Sequence, residues 1–212
     1  MSAIEQRLKA APVVPLVVPA DADTAIRTTQ ALVDGGLTVI EVVLRTPQAI
    51  VCLGEIVRAV PSAVVGAGTV LSAEQARAVL EQGAKFIVSP GFHAPVVEVA
   101  QAAGVPIFPG VATATEAQQA WNMGLRALKF FPASLAGGPA MLKALASVFK
   151  DVSFMPTGGV SASNLADYLA LPCVLACGGS WLTPQSAIDE NNYAEITRLA
   201  AEAVSMATQA RT

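Results

Sequence analysis

Along the chain, short runs of β-branched and other apolar residues alternate with longer stretches whose apolar positions recur at helical spacing. Residues 3–10 predict a short leading helix. The run 13–18, Val-Val-Pro-Leu-Val-Val, predicts a first strand bounded by Pro12 and Pro19. Asp21 or Asp23 can cap the helix that follows, in which Ala25, Ile26, Thr29, Leu32 and Val33 share a face before Gly35 and Gly36 stop it. The unit then recurs, about every 20–25 residues by the same periodicity. Strands are predicted over 38–44, 63–67, 85–88, 105–108, 127–131, 152–155 and 174–176. Helices are predicted from near Pro47, near Ser72 and Glu74, from Ala94, over 115–123, 139–149 and 161–169, and as a short C-terminal turn and helix.

Eight strands alternating with helices in one unbroken block predict a (β/α)8 TIM barrel, a single domain over residues 1–212 with a short N-terminal leading helix. The alternative is an open doubly wound sheet. Its mark, a glycine-rich turn after the first strand, is missing: Pro19, Ala20, Asp21, Ala22 and Asp23 stand there instead.

Composition narrows the function classes. Hydrophobic residues make up 53% and charged residues 14% of the 212, so much of the chain is buried on both sides of its elements, as in a helix-covered parallel sheet. A net charge of −3 without a Lys/Arg cluster gives no footprint for nucleic acid or an anionic membrane. No apolar run reaches membrane-span length, and prolines break the run behind Glu5, Arg7 and Lys9 where a signal peptide would need a clean apolar core. A soluble cytoplasmic protein is expected. Cys52, Cys173 and Cys177 fit free thiols in a reducing compartment. With His93 as the only histidine and no second cysteine pair, Cys173 and Cys177 do not make a zinc site.

Chemistry concentrates where strands end. The stretch 125–132, Leu-Arg-Ala-Leu-Lys-Phe-Phe-Pro, reads as a buried strand carrying one cation, Lys129. An ammonium buried without a partner is costly, and burial favours the neutral, nucleophilic amine. The blander reading is a lysine that snorkels or pairs with an acid. In the second strand, alternation sends Ile40, Val42 and Leu44 toward the helices and Val39, Glu41, Val43 and Arg45 inward. Glu41 and Arg45 would lie roughly 13 Å apart at about 3.3 Å per residue, Glu41 deep and Arg45 at the rim. The same parity turns Ala127, Lys129 and Phe131 inward, so a carboxylate and an amine meet inside the barrel. They form either a register-fixing pair or a catalytic one.

The third strand ends in Gly66, Ala67, Gly68 and Thr69, small residues that leave room near the axis and a hydroxyl at the rim. Ser89-Pro90-Gly91 closes the fourth strand and Phe108-Pro109-Gly110 the fifth; such pairs also simply make loops. Gly158 and Gly159 after the seventh strand, with Gly178, Gly179 and Ser180 after the eighth, occupy the two loops where barrels bind phosphate through backbone N–H groups. His93 either caps a helix or faces solvent.

Six segments together carry a resemblance over about residues 12–183: 40–46 (Ile-Glu-Val-Val-Leu-Arg-Thr), 66–70 (Gly-Ala-Gly-Thr-Val), 89–91 (Ser-Pro-Gly), 129–133 (Lys-Phe-Phe-Pro-Ala), 156–160 (Pro-Thr-Gly-Gly-Val) and 178–182 (Gly-Gly-Ser-Trp-Leu). The chain resembles the 2-keto-3-deoxy-6-phosphogluconate (KDPG) and 4-hydroxy-2-oxoglutarate aldolases, class I enzymes with this barrel. The resemblance implies reversible cleavage of a phosphorylated keto-acid to pyruvate and glyceraldehyde 3-phosphate, with no cofactor or metal, in a homotrimer. It assigns the Schiff base to Lys129 and general acid/base work to Glu41. It gives the pyruvyl carboxylate to Arg45 and Thr69, its methyl side to Pro90 and Phe131, and the phosphate to Gly158, Gly159, Gly179 and Ser180. The chain departs from the family where Ser134 and Leu135 follow Ala133 in place of a commoner acid. Alternatives are the same chemistry on 4-hydroxy-2-oxoglutarate or the galactonate epimer, and a catalytically silent phosphate-metabolite-binding barrel.

Overall fold

A computed structural model describes residues 3–211 of the chain. Helix α1 (Ala3–Ala10) precedes β1 (Val13–Val17), and strands and helices then alternate. They are α2 (Ala22–Asp34), β2 (Val39–Val43), α3 (Ala49–Ala59), β3 (Val64–Gly68), α4 (Ala73–Glu81), β4 (Ile87–Val88), α5 (Ala94–Ala102), β5 (Ile107–Phe108), β6 (Gly110–Val111), α6 (Ala114–Asn122) and β7 (Ala127–Phe130). The chain finishes with α7 (Gly138–Val148), β8 (Ser153–Pro156), α8 (Leu165–Leu169), β9 (Cys177–Gly179), α9 (Gln185–Asp189) and α10 (Tyr193–Ala210).

Every strand pairing is parallel. One run of strands follows the order β5-β4-β3-β2-β1-β9 and another β6-β7-β8. Pro109 joins the two runs, because β5 and β6 are a single stave interrupted by that residue. Bridges Phe154–Val174 and Thr157–Gly178 close β8 onto the β9 stave. The result is the ring of eight staves of a (β/α)8 barrel.

Local chemistry explains where helices begin. Asp21, not Asp23, caps α2, its Oδ1 accepting from the Thr24 N–H at 2.9 Å, while Asp23 pairs with Arg27 in the first turn. That backbone bond holds the Asp21 carboxyl below its ordinary pKa. Ser72 caps α4, and Thr113 with Glu116 forms a capping box on α6.

The structure differs from the sequence expectation in four places. The fifth strand is split because proline has no N–H to give the ladder; its carbonyl instead accepts from the Lys129 N–H at 3.0 Å. The eighth stave pairs regularly with β1 only from Cys177, so the expected strand 174–176 touches its neighbour mainly through the Val174 bridge. Consequently Gly178 and Gly179 lie in β9 rather than in a loop after it. Helix α8 starts at Leu165 because Asn164 Oδ1 accepts from the Ser161 N–H at 2.9 Å and folds 161–164 into a turn. Last, α10 runs for 18 residues. Its buried face, Ile196, Ala200, Ala203 and Ala207, is mostly alanine and gives little hydropathic contrast to read.

Two apolar clusters lie between strands and helices, and a third fills the barrel. The third contains Val14, Val39, Phe86, Val88, Phe108 and Met155, with Ile4 and Leu8 of α1 closing the end where the strands begin. Phe86 and Phe108 meet edge to face, centroids 6.0 Å apart. This plug gives the polar groups above it a dry floor.

Candidate active site

Lys129 on β7 and Glu41 on β2 stand on that floor. Their strand neighbours show how they come to face one another: Leu128 and Phe130 pack into the helix-side cluster with Ile40, while Val39 belongs to the interior cluster. Lys129 is 4% exposed and Glu41 is fully buried. Lys129 Nζ lies 3.4 Å from Glu41 Oε1 and 5.2 Å from the centroid of the Phe131 ring.

The geometry bears on which kind of pair this is. A buried ion pair holds a fold together only when its contact is close and its remaining lone pairs are satisfied. Here the contact is long for a hydrogen bond, and Glu41 Oε2 has no protein partner. A carboxylate poised this way is suited to exchanging protons with something else in the barrel.

Small residues on β3 make room for it. A methyl group on Gly68 would fall 2.0 Å from Glu41 Oε1, and one on Gly66 would fall 2.4 Å from the Phe86 ring. Just past β3, Thr69 has φ +60°, a left-handed conformation that a β-branched residue adopts only under strain. Relieving that strain in Thr69→Gly is expected to raise stability slightly, on the order of 0.5 kcal/mol after the added freedom of the unfolded glycine is subtracted. The same substitution removes the rim hydroxyl and, on the pyruvate-binding role that the family resemblance implies for Thr69, is expected to raise the pyruvate concentration needed for half-saturation several-fold. Thermal melts and pyruvate-dependent inactivation by borohydride check the two arms, and unchanged pyruvate affinity would remove Thr69 from the site.

Arg45 is exposed at the same rim and forms no ion pair among the described residues, so its planar fork is free for a carboxylate. Next to it, Thr46 Oγ1 donates to the Pro19 carbonyl at 2.6 Å and anchors the end of β2. Two staves round from β2, Ser89, itself buried, donates through Oγ to the Gly91 carbonyl at 2.8 Å and shapes the turn that presents Pro90. Gly110, in register with Lys129, lets that turn approach: a methyl group on it would come 2.1 Å from the Pro90 carbonyl oxygen. Phe131 is half-buried, and a methyl group on Gly158 would lie 3.3 Å from its ring.

The glycine loops converge. The Thr157–Gly178 bridge sets Gly158 and Gly159 beside Gly179 and Ser180. Gly158 and Gly159 have φ +94° and +77°, conformations closed to most side chains. Among the described residues, the Gly159 and Ser180 N–H groups donate to no protein acceptor, as an anion cradle requires.

Other sequence candidates stay apart from this centre. His93 sits at the N-cap of α5 and is exposed, its side chain making no capping bond. The three cysteines are free thiols, and burial pushes the Cys177 thiol up to about 12. Among the described residues no group of three or more His, Cys, Asp and Glu side chains is placed to hold a metal ion, and no helix is long and apolar enough to cross a membrane. A cavity of about 630 Å³ lies at the far end of the barrel, lined by Lys9, Leu171 and Arg211. Arg211 is spent there on the Val174 and Leu175 carbonyls.

One site residue escaped the sequence reading. Thr157, 3% exposed, follows Met155 in inward parity, and a methyl group on Gly178 would fall 2.3 Å from its Oγ1. Carrying the alternation of β8 two residues further would have found it.

Comparison with known proteins converges on one group. Residues 4–199 match the family model for KDPG and KHG aldolase. The KHG/KDPG aldolase of Escherichia coli (strain K12) is 45% identical over 200 residues, 94% of each chain. A solved structure of KDPG aldolase from Legionella pneumophila, with pyruvate captured as a covalent carbinolamine intermediate, superposes at TM-score 0.92. It is 39% identical and covers 96% of this chain and 98% of its own. The Zymomonas mobilis ZM4 enzyme, solved with 3-phosphoglycerate, gives TM-score 0.90 at 43% identity, with 96% of each chain covered.

Proposed function

The chain belongs to the KDPG and KHG aldolase family, and from that membership we propose that it cleaves 2-keto-3-deoxy-6-phosphogluconate to pyruvate and glyceraldehyde 3-phosphate, reversibly, through a Schiff base on Lys129. It is a class I aldolase, a carbon–carbon lyase. The observation that carries the residue assignment is the buried amine of Lys129 facing a loosely held carboxylate, Glu41, at 3.4 Å.

In this reading Lys129 Nζ attacks the C2 carbonyl, and Glu41 supplies the proton that carries the oxygen away as water, leaving an iminium. A base then takes the C4 hydroxyl proton. The C3–C4 electron pair moves into the iminium, releasing the aldehyde and leaving an enamine, so the nitrogen serves as the electron sink. Protonation at C3 and addition of water free pyruvate. Arg45 and the Thr69 hydroxyl hold the pyruvyl carboxylate, Pro90 and Phe131 wall its methyl side, and Gly158, Gly159, Gly179 and Ser180 take the phosphate. A phosphorylated substrate is supported by the paired glycine loops and by the relative solved with 3-phosphoglycerate.

The same proposal makes the enzyme a cytoplasmic homotrimer of one domain. Val18, Val51 and Leu71, exposed by 46%, 60% and 57%, lie on neighbouring units at the rim where β1, β2 and β3 end, an apolar surface suited to a subunit contact. The free cysteines fit a reducing compartment. The direct test compares pyruvate release from 2-keto-3-deoxy-6-phosphogluconate and from 4-hydroxy-2-oxoglutarate. Faster turnover of the first, with competitive inhibition by inorganic phosphate, is expected. A preference for the second, insensitive to phosphate, would transfer the assignment to the non-phosphorylated substrate.

A further inference from the structure

Ser134 stands over the anion loop, although nothing in the catalytic chemistry calls on it. The parallel ladder between β7 and β8 continues beyond both strands. Thr157 N donates to the Phe130 carbonyl at 2.9 Å, Ala133 N to the Thr157 carbonyl at 2.8 Å, and Ser134 N to the Gly158 carbonyl at 3.0 Å. The turn is closed behind it by Ala136 N to the Pro132 carbonyl and Gly138 N to the Ala133 carbonyl, each at 2.9 Å. Residue 134 is therefore fixed in register with the glycine loop.

Its side chain is aimed there as well. A methyl group on Gly159 would fall 2.0 Å from Ser134 Oγ, so the hydroxyl takes the place beside Gly159 that a side chain would have filled. Both loop carbonyls are engaged with protein: Ser134 N donates to that of Gly158, and Asn164 Nδ2 donates to that of Gly159 at 2.9 Å. Among the described residues, the Ser134 hydroxyl makes no hydrogen bond. It is a neutral donor, pinned by its own backbone, next to N–H groups that also lack protein acceptors.

We propose that Ser134 is a specificity-determining residue whose hydroxyl donates to the phosphate of the substrate alongside the Gly158–Gly159 loop. The inference rests on the aldolase reading and deepens it. A hydrogen bond to a charged oxygen is stronger than one between neutral groups, so its loss should fall on phosphorylated acceptors alone.

The aldol direction supplies the test, with pyruvate as donor and either glyceraldehyde 3-phosphate or glyceraldehyde as acceptor. Ser134→Ala is expected to raise KM for glyceraldehyde 3-phosphate about tenfold with little change in kcat, leaving kinetics with glyceraldehyde unaltered, and Ser134→Thr is expected to restore the lower KM. An equal rise for both acceptors, or no rise, overturns the proposal. Borohydride trapping of pyruvate on the wild-type enzyme separates the two levels. Absence of the adduct takes down the aldolase mechanism and this inference with it, whereas an adduct with no phosphate-selective effect at residue 134 refutes only the latter.

Discussion

Lys129→Gln should abolish cleavage, lowering kcat by a factor on the order of 10⁴ or more, as expected when a covalent nucleophile is removed. The wild-type enzyme incubated with pyruvate and borohydride should gain a reduced adduct on Lys129, and the variant should gain none. Glutamine is the informative replacement because of what surrounds the amine. Glu41 is fully buried and Lys129 is its only ionic partner among the described residues. Lys129→Ala would leave that carboxylate stranded, at a cost of about 3–5 kcal/mol. A glutamine amide still donates to Glu41, so the fold should be largely retained while the nucleophile is lost. A silent metabolite-binding barrel predicts the opposite pattern, with no adduct on either protein and unchanged ligand binding in the variant. Labelling on a residue other than Lys129 would likewise sink the assignment.

What the sequence disclosed followed from periodicity. Strict alternation over 38–46 placed Glu41 and Arg45 on the inward face, and the same count over 127–131 added Lys129. The structure puts Glu41 and Lys129 together although 88 positions separate them. Strand boundaries were legible wherever β-branched runs met a polar helix cap, as at Ser72. They failed where the ladder depends on more than hydropathy. Pro109 interrupts a stave without ending it, and Cys177–Gly179 pairs as a strand although two of its three residues are glycine, a type depleted in strands. What sequence could not convey at all was approach distance. That Gly68 makes way for Glu41, that Ser134 stands over Gly159 and that Thr157 packs on Gly178 are facts of packing between segments far apart in the chain.

Glu41→Gln should separate proton transfer from covalent capture. The substitution keeps the shape and removes the charge, so no unpaired carboxylate is left behind. Stability should fall, because Lys129 loses its counter-charge as Glu41 would in Lys129→Ala, although the glutamine carbonyl can still accept from the amine. The Lys129 amine itself is untouched and stays placed to attack the pyruvate carbonyl. Borohydride should still trap the adduct, but more slowly, because loss of water from the carbinolamine must then take its proton from solvent instead of Glu41. Cleavage and exchange of the pyruvate methyl protons with deuterated solvent each need a group that alternately takes and gives a proton, and these should slow by a factor on the order of 10²–10⁴. Loss of the adduct together with turnover would show instead that Glu41 is required to form the iminium, while full turnover would make the pair structural. Gly68→Ala approaches the same question without altering either group. Its methyl would lie 2.0 Å from Glu41 Oε1 and must displace the carboxylate, so proton exchange should fall while Lys129 remains open to trapping. If both substitutions spare the adduct and slow the exchange, the position of the carboxylate matters as much as its presence, which is what a proton carrier requires and a register-fixing ion pair does not.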